Sequence, residues 1–324
     1  MPTPRPFTVD AALSAIAIGY KNTSALRIAD IVLPRAPVSA ERFKWTEYPI
    51  GEAFNTPEAR VSRRGQVNQI EFSGTEQTSA VDDFGLDAPV PYSDIQAAAD
   101  ARAQGRAVVD PEQLATMMLT ETIENIREVR AASLVFNANS YAASRRVTLS
   151  GTSQLSDYTN SDPFNVIMSA IQGTLVYTPN TLVMGRDVWS KLSMHPRIVN
   201  AVKGTTTTGG IVNRDQFLEL FAGEGITRIV VGDAFVNTAK PGQIATLARA
   251  WGKHIAAIHL NPLAQPEGGI MTFGVTAEYG GRISGRIEDP DIGLNGGYRI
   301  RVGERVKELI VARDLGYYIQ NAVA

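Results

Sequence analysis

Between Asp110 and Ala138 the chain reads DPEQLATMMLTETIENIREVRAASLVFNA, a stretch with no glycine and no proline after Pro111. Asp110 suits an N-cap, Pro111 the first helical position, and Gln113 the place from which a capping box returns a hydrogen bond to the cap. A helix is therefore predicted over 110–138. At 1.5 Å per residue it runs roughly 40 Å, well past the usual globular helix. Leu119, Ile123, Ile126, Val129, Ser133 and Phe136 recur at three- and four-residue spacing, so they are predicted to form its buried stripe, with Leu119, Ile123, Ile126, Val129 and Phe136 as the spine core. Glu121, Glu124, Arg127, Glu128 and Arg130 fall mostly elsewhere, and Glu124 can pair with Arg127. On this reading Ile126→Asp buries a charge under the spine and prevents folding. A long helix across the sheet of an ordinary α+β domain accommodates the stretch, and the rest of the chain must decide its purpose.

With 324 residues, the chain exceeds the size at which one core keeps growing, so two domains or one domain with long extensions are expected. A net charge of −2 argues against a protein that wraps nucleic acid through a strongly basic surface. There is no cysteine, which removes disulfides, thiolate metal sites and a cysteine nucleophile. MPTPRPFTVD has no apolar signal core, and no run of about 18 apolar residues appears, so neither export by a signal peptide nor a membrane partner is expected.

Residues 1–40 read as an arm: Pro2, Pro4 and Pro6 forbid an early helix, and VDAALSAIAIGY offers one short apolar helix. Such a terminus is ordered only when tied to another surface, such as a neighbouring subunit. Residues 41–77 read as a long two-stranded excursion. Phe43 and Trp45 alternate with polar residues in RFKWTEY, and Ile70 and Phe72 do so in the returning VNQIEFSG. A ribbon of this kind is not stable alone and is expected to rest on a partner. Phe43, Trp45, Ile70 and Phe72, with the basic tip residues Arg60, Arg63 and Arg64, are thus candidate intersubunit contacts. A solvated loop explains the arginines equally well.

A strand and a proline break follow in TSAVDDFGLDAPVPYSD, and IQAAADARAQGR leads into the spine. Asp82, Asp83 and Asp87 lack the ligand spacing of a calcium loop and read as surface turns. Beyond the spine, Asp162-Pro163 repeats the Asp-Pro helix start, and Gly173 is placed to end that helix. Then come strand NTLVMG, helices RDVWSKLSMH, PRIVNAV and NRDQFLELFAG, and strand TRIVVG, which place 162–260 in one mixed domain. The tail 270–324 is strand-rich, in IMTFGVTAEYG, YRIRVGERVKELIVAR and GYYIQNAV. The spine is therefore assigned to a discontinuous domain built from 78–160 and 270–324, with the mixed domain inserted.

No catalytic constellation emerges. GTTTTGG lacks the Lys-Ser/Thr of a phosphate loop, His254 and His259 are five residues apart and so on opposite faces of a strand where they cannot share a metal, and His195 stands at a helix end where the negative pole of the dipole favours it. No catalytic residue, cofactor or metal is assigned, and the chain is read as not an enzyme.

The order of parts, with LVFNANSYAASRRVTLSGTSQLSDYTNSDP, PNTLVMGRDVWSKLSMHPRIVNAVK and WGKHIAAIHLNP, resembles the major capsid proteins of tailed bacteriophages, the Hong Kong 97-type fold, from about residue 40 to 320. That resemblance implies an N-terminal arm (1–40), an extended loop (41–77), a peripheral domain with the spine (78–160 and 270–324) and an axial domain (162–260). It implies a subunit that assembles as pentamers and hexamers into an icosahedral virion shell around double-stranded DNA met without sequence readout, built in the bacterial host cytoplasm. An encapsulin-like shell that stores a cargo enzyme is the alternative. Some members begin with a helical scaffolding segment that is later removed. Here the arm starts at residue 1, so a separate scaffold protein is expected, with a portal, and a cement or decoration protein as a further partner. The family's named member cross-links subunits through Lys and Asn. Lys44 is the sole lysine of the extended loop and no cross-linking pair is recognisable, so non-covalent assembly is expected.

Overall fold

The structure is a computed structural model that describes residues 8–20, 27–47, 75–174, 177–204, 209–240, 242–264 and 271–324, together with 56, 59–61, 63, 65–67 and 69. In chain order its first elements are β1 (Thr8–Val9), α1 (Ala11–Gly19), α2 (Ala29–Val32), β2 (Arg35–Pro37), β3 (Arg42–Glu47), β4 (Thr75–Ala80), β5 (Asp82–Pro91) and α3 (Tyr92–Ala103). The spine α4 (Pro111–Val135) follows, then β6 (Arg146–Thr148), α5 (Pro163–Gln172), β7 (Thr181–Gly185), α6 (Arg186–Leu192), α7 (Pro196–Lys203), α8 (Arg214–Ala222) and β8 (Arg228–Gly232). The chain ends with β9 (Phe235–Asn237), β10 (Leu247–Arg249), β11 (Ile255–Ile258), β12 (Gly274–Glu278), β13 (Ile283–Asp289), β14 (Gly297–Ile310) and β15 (Gly316–Gln320).

Two larger sheets carry the fold. In the first, β14 is flanked by β5 on one side and by β12 and β13 on the other, with β1 and β2 outermost. Glu278 faces Val306 while Ile283 faces Gly303, so residues 279–282 stand opposite residues 304–305. β12 and β13 are one strand run interrupted by a wide bulge. Gly280 and Gly281, at φ +75° and +68°, supply a left-handed backbone that a side chain would strain. The second sheet has the order β6-β15-β11-β7-β8. Its alternating residues face two cores. Leu182, Met184, Ile255 and Ile319 face α5 to α8, whereas Val183, Ala256, Ile258 and Tyr318 face the end of the spine. The C-terminal strand, grouped from sequence with the first sheet's tail, hydrogen-bonds into this second sheet instead.

The helix caps form where the sequence places them. Asp110 caps α4, accepting the Glu112 N–H at 2.9 Å, so the second helical amide rather than that of Gln113 is satisfied. Asp162 caps α5 through the amides of Phe164 and Asn165, and Asn213 and Gln216 form a reciprocal capping box on α8.

The spine's buried face differs from the predicted one, and its last helical residue is Val135 rather than Ala138. Leu119 and Ile123 are buried with Leu13, Ala17, Val90, Ile300 and Val302. Ile126 and Val129, however, are 41% and 36% exposed, and Ser133 is exposed. Phe136, the C-cap, is half-buried edge-on to Trp251, with ring centroids 5.2 Å apart. Past Ile123 the buried row continues through Arg127, Ala131 and Val135 at steps of four, and Glu128 and Ala132 lie beside it. The apolar stripe steps by three at that point and rotates outward. Arg127 and Glu128 turn inward because polar partners meet them there, which removes most of the penalty of burying charge.

In the ribbon, β3 pairs antiparallel with β4, Arg42 opposite Ala80 and Glu47 opposite Thr75, while most of the predicted returning segment VNQIEFSG lies outside the described residues. Ile70, Phe72 and Arg64 lie outside the described residues.

Candidate assembly surfaces

Phe43 was expected at a subunit interface, but it is 2% exposed and packs inside its own subunit with Ala36, Val275 and Ala277. It anchors the root of the ribbon to the first sheet, helped by the Val81 N–H donating to Glu41 O at 2.9 Å. Trp45 is half-buried beside it, with ring centroids 6.0 Å apart. Arg60 and Arg63 are exposed. Lys44 forms an exposed ion pair with Glu76 on the neighbouring strand. Asp82 and Asp87 pair with Lys307 and Arg301 across the β5–β14 ladder, as solvated strand residues do. Among the described residues, no group of three or more His, Asp or Glu could hold a metal ion, and no helix is long and apolar enough to cross a membrane.

The segment after α1 is clamped to the spine by charge. The Arg27 guanidinium donates to Glu124 at 2.8 Å, to Asn125 at 2.9 Å and to Glu121 at 3.3 Å. Glu128, 1% exposed, accepts the Ile28 and Ala29 amides at 2.8 Å each and the Trp251 indole N–H at 2.5 Å. Burial pushes its carboxyl above the ordinary range, against the lowering effect of those three donors. One side chain of the spine thus ties the N-terminal segment to the loop that enters the second sheet. Arg127 donates to Asp30, to Leu33 O at 3.3 Å and to Thr276 Oγ1 at 3.1 Å.

A second cluster fills the bulge. Arg282, turned inward by Gly280 and Gly281, donates to Ala17 O at 2.9 Å, Glu124 at 3.2 Å and Glu304 at 3.2 Å. Arg35 reaches Glu304 at 3.1 Å, Glu278 at 2.9 Å and Asp30 at 3.0 Å. Burial alone would push the Glu304 carboxyl up, but Arg35 and Arg282 outweigh it and hold it below its ordinary range. None of Glu128, Arg282, Glu304 and Trp251 stands out in sequence. The available signals were the misfit of Arg127 and Glu128 to a simple apolar stripe, and the Gly280-Gly281 pair.

His195 is fully buried and lies at the start of α7, not at the negative end of a helix. Its Nδ1 accepts the Arg197 N–H at 3.3 Å, so Nε2 carries the proton and faces Ser161 Oγ at 3.0 Å. A hydroxyl that meets a protonated nitrogen has no base, and Ser161 Oγ donates instead to Asp157 O at 2.5 Å. This Ser–His pair is a structural cap. Burial, then Arg197, lower the imidazole's pKa, consistent with a neutral ring at a helix N-terminus. His254 and His259 flank β11 instead of lying within it. Among the described residues, exposed apolar side chains include Phe235 and Leu247 on the β9–β10 hairpin, and Met118, Ile126 and Val129 along the spine.

Over 320 residues, 98% of each chain, the protein is 45% identical to the major capsid protein of Pseudomonas phage JBD67. It belongs to the phage major capsid protein family. The major capsid protein of Burkholderia phage BcepMu is 28% identical over 326 residues, 97% of this chain and 96% of that one. A phage-related protein from Bordetella bronchiseptica RB50 superposes with a TM-score of 0.73 at 22% identity, covering 98% of both chains. The capsid structure of Cyanophage P-SCSP1u does so at 0.57 and 10% identity, covering 93% and 90%. At these identities the structural likenesses speak to fold alone, the α+β Hong Kong 97-like capsid fold. No family model matches the chain. In this capsid protein the buried ion pairs brace the subunit internally.

Proposed function

We propose that this chain is the shell-forming subunit of a phage head: copies associate as pentamers and hexamers, without enzymatic activity, and close an icosahedral shell around double-stranded DNA. The observation that carries the reading is the identity of 45% with a phage major capsid protein over almost the entire length of both chains. The ribbon supports it physically, because among the described residues β3 and β4 pair with each other alone and a two-stranded ribbon needs a surface to lie on. Repeated head-to-tail contact between copies closes a ring when the rotation is right. The axial role falls to 162–260 and the peripheral role to the spine with the first sheet. With a net charge of −2, DNA contact is local and insensitive to sequence. A separate scaffold and a portal complete the assembly in the host cytoplasm, and a cement or decoration protein is a further partner.

The test is expression of the chain with and without the phage's scaffold, followed by sizing and negative-stain microscopy. Closed shells are the expected product. A discrete monomer of 35.0 kDa under every assembly condition overturns the proposal.

A further inference from the structure

The charges of the spine are inverted relative to an ordinary surface helix, in which charge faces water and apolar groups face the core. α4 carries six charged residues, Glu112, Glu121, Glu124, Arg127, Glu128 and Arg130, all of them buried or half-buried. Glu112 pairs with Arg286, Glu121 and Glu124 with Arg27, Arg127 with Asp30, and Arg130 with Glu308, while Glu128 holds the arm amides. The opposite face carries Ala115, Met118, Thr122, Ile126 and Val129, of which all but the half-buried Ala115 are exposed among the described residues. No charge interrupts this ridge. It continues at the N-terminal end through the exposed Val108, Val109 and Leu114.

A ridge without Lys or Arg has nothing to offer a phosphate backbone, so nucleic acid is a poor occupant. A neutral apolar ridge can instead meet a copy of itself without like-charge repulsion. The spacing agrees. From Ala115 to Val129 the steps are three, four, four and three, the same in both directions about Thr122. In an antiparallel pair related by a two-fold axis at Thr122, Met118 of each copy faces Ile126 of the other, and Ala115 faces Val129. Such a contact is isologous, with residue i meeting j and j meeting i, and the small Thr122 at the centre lets two helices approach to the usual 8–10 Å. We infer that the outward ridge of the spine is a two-fold contact with a second copy of this chain, centred on Thr122. The inference rests on the shell reading above and specifies one of its contacts.

Because the chain has no cysteine, Thr122→Cys introduces the only thiol. Among the described residues the Thr122 hydroxyl donates to Met118 O of its own helix, at 2.9 Å, and the side chain is exposed, so the exchange removes an intrahelical bond. Assembled particles of the variant, confirmed by negative stain, are exposed to a mild oxidant and run on a non-reducing gel. A covalent dimer with no larger species is expected, and Met118→Cys combined with Ile126→Cys should give the same dimer. Particles in which the introduced thiol reacts freely with a bulky maleimide overturn the inference, since the ridge is then open. Particles in which the thiol is shielded but neither variant dimerises also overturn it, since a different partner then covers the ridge. In both cases the shell reading stands. If the unmodified chain forms no particles, the shell reading fails and the inference falls with it.

Discussion

Glu128 sits where the spine, the N-terminal segment and Trp251 meet, and it holds them with three N–H donors on two oxygens. An amide in its place keeps one acceptor and turns an NH2 toward at least one donor that has lost its partner. Glu128→Gln is therefore expected to destabilise the subunit by about 1–3 kcal/mol, the cost of an unsatisfied buried group. Urea unfolding followed by tryptophan fluorescence measures it, and an unchanged midpoint would remove Glu128 from its role as a joint. His195 gives a pH-dependent counterpart. Its folded pKa is lowered by burial and Arg197, so the unfolded chain binds the proton more tightly and stability falls as pH drops below about 6.5. His254 shifts in the same direction and Glu128, raised by burial, acts with the opposite sign, so the informative quantity is the difference between variant and parent. His195→Asn keeps a cap acceptor for the Arg197 amide and should flatten the fall in Tm between pH 7 and pH 5, as measured by calorimetry at matched ionic strength. Parallel Tm curves would show that His195 does not titrate in this window.

At the scale of elements, the spine separates what apolar spacing reveals from what it does not. Ile123 is 2% exposed and Ile126 is 41% exposed, although both lie on the stripe read from sequence. Ile123→Asp should cost on the order of 4 kcal/mol or more and prevent folding, whereas Ile126→Asp should shift subunit stability by about 0.5 kcal/mol or less. Denaturant curves of the dispersed subunits decide this, and equal effects would contradict the observed phase of the helix. The start of the spine was legible because Asp110 and Pro111 act locally, as was that of α5 through Asp162 and Pro163. Its phase beyond Ile123 was not, because Arg127 and Glu128 are drawn inward by residues about a hundred positions earlier. The same holds for β13, which continues β12 across the bulge at Gly280-Gly281 and reads in sequence only as a break. The pairing of β15 with β11 is a non-local choice that no local pattern encodes. Of the candidate contacts, Phe43 was correctly read as the inward residue of a strand, but the core it enters is its own subunit's.

Across the whole molecule, the spine joins the cores of both sheets: Leu119 and Ile123 pack with the first, Ala131 and Val135 with the second. The same bracing extends to the root of the ribbon, where Phe43 is packed into the subunit's own core. On the proposed shell, Arg63→Glu with Arg64→Glu should leave the subunit folded and weaken assembly, more so at low salt, where the lost attraction is least screened. Light scattering across a salt series reads this, and normal assembly at low salt would return the tip to solvent. The chemistry of the seams follows from the single lysine in the extended loop. An amide cross-link requires an uncharged amine nucleophile, which a lysine becomes when it is buried or desolvated. Among the described residues, the Lys44 side chain is 66% exposed and ion-paired with Glu76, and no Asn or Asp stands opposite it in the β3–β4 register. Particles boiled in SDS should therefore run as one band at 35.0 kDa. A ladder of multimers that survives boiling would mean that a lysine elsewhere in the chain meets a neighbour's side chain in a water-excluded seam, and the ribbon would no longer be the place to look for it.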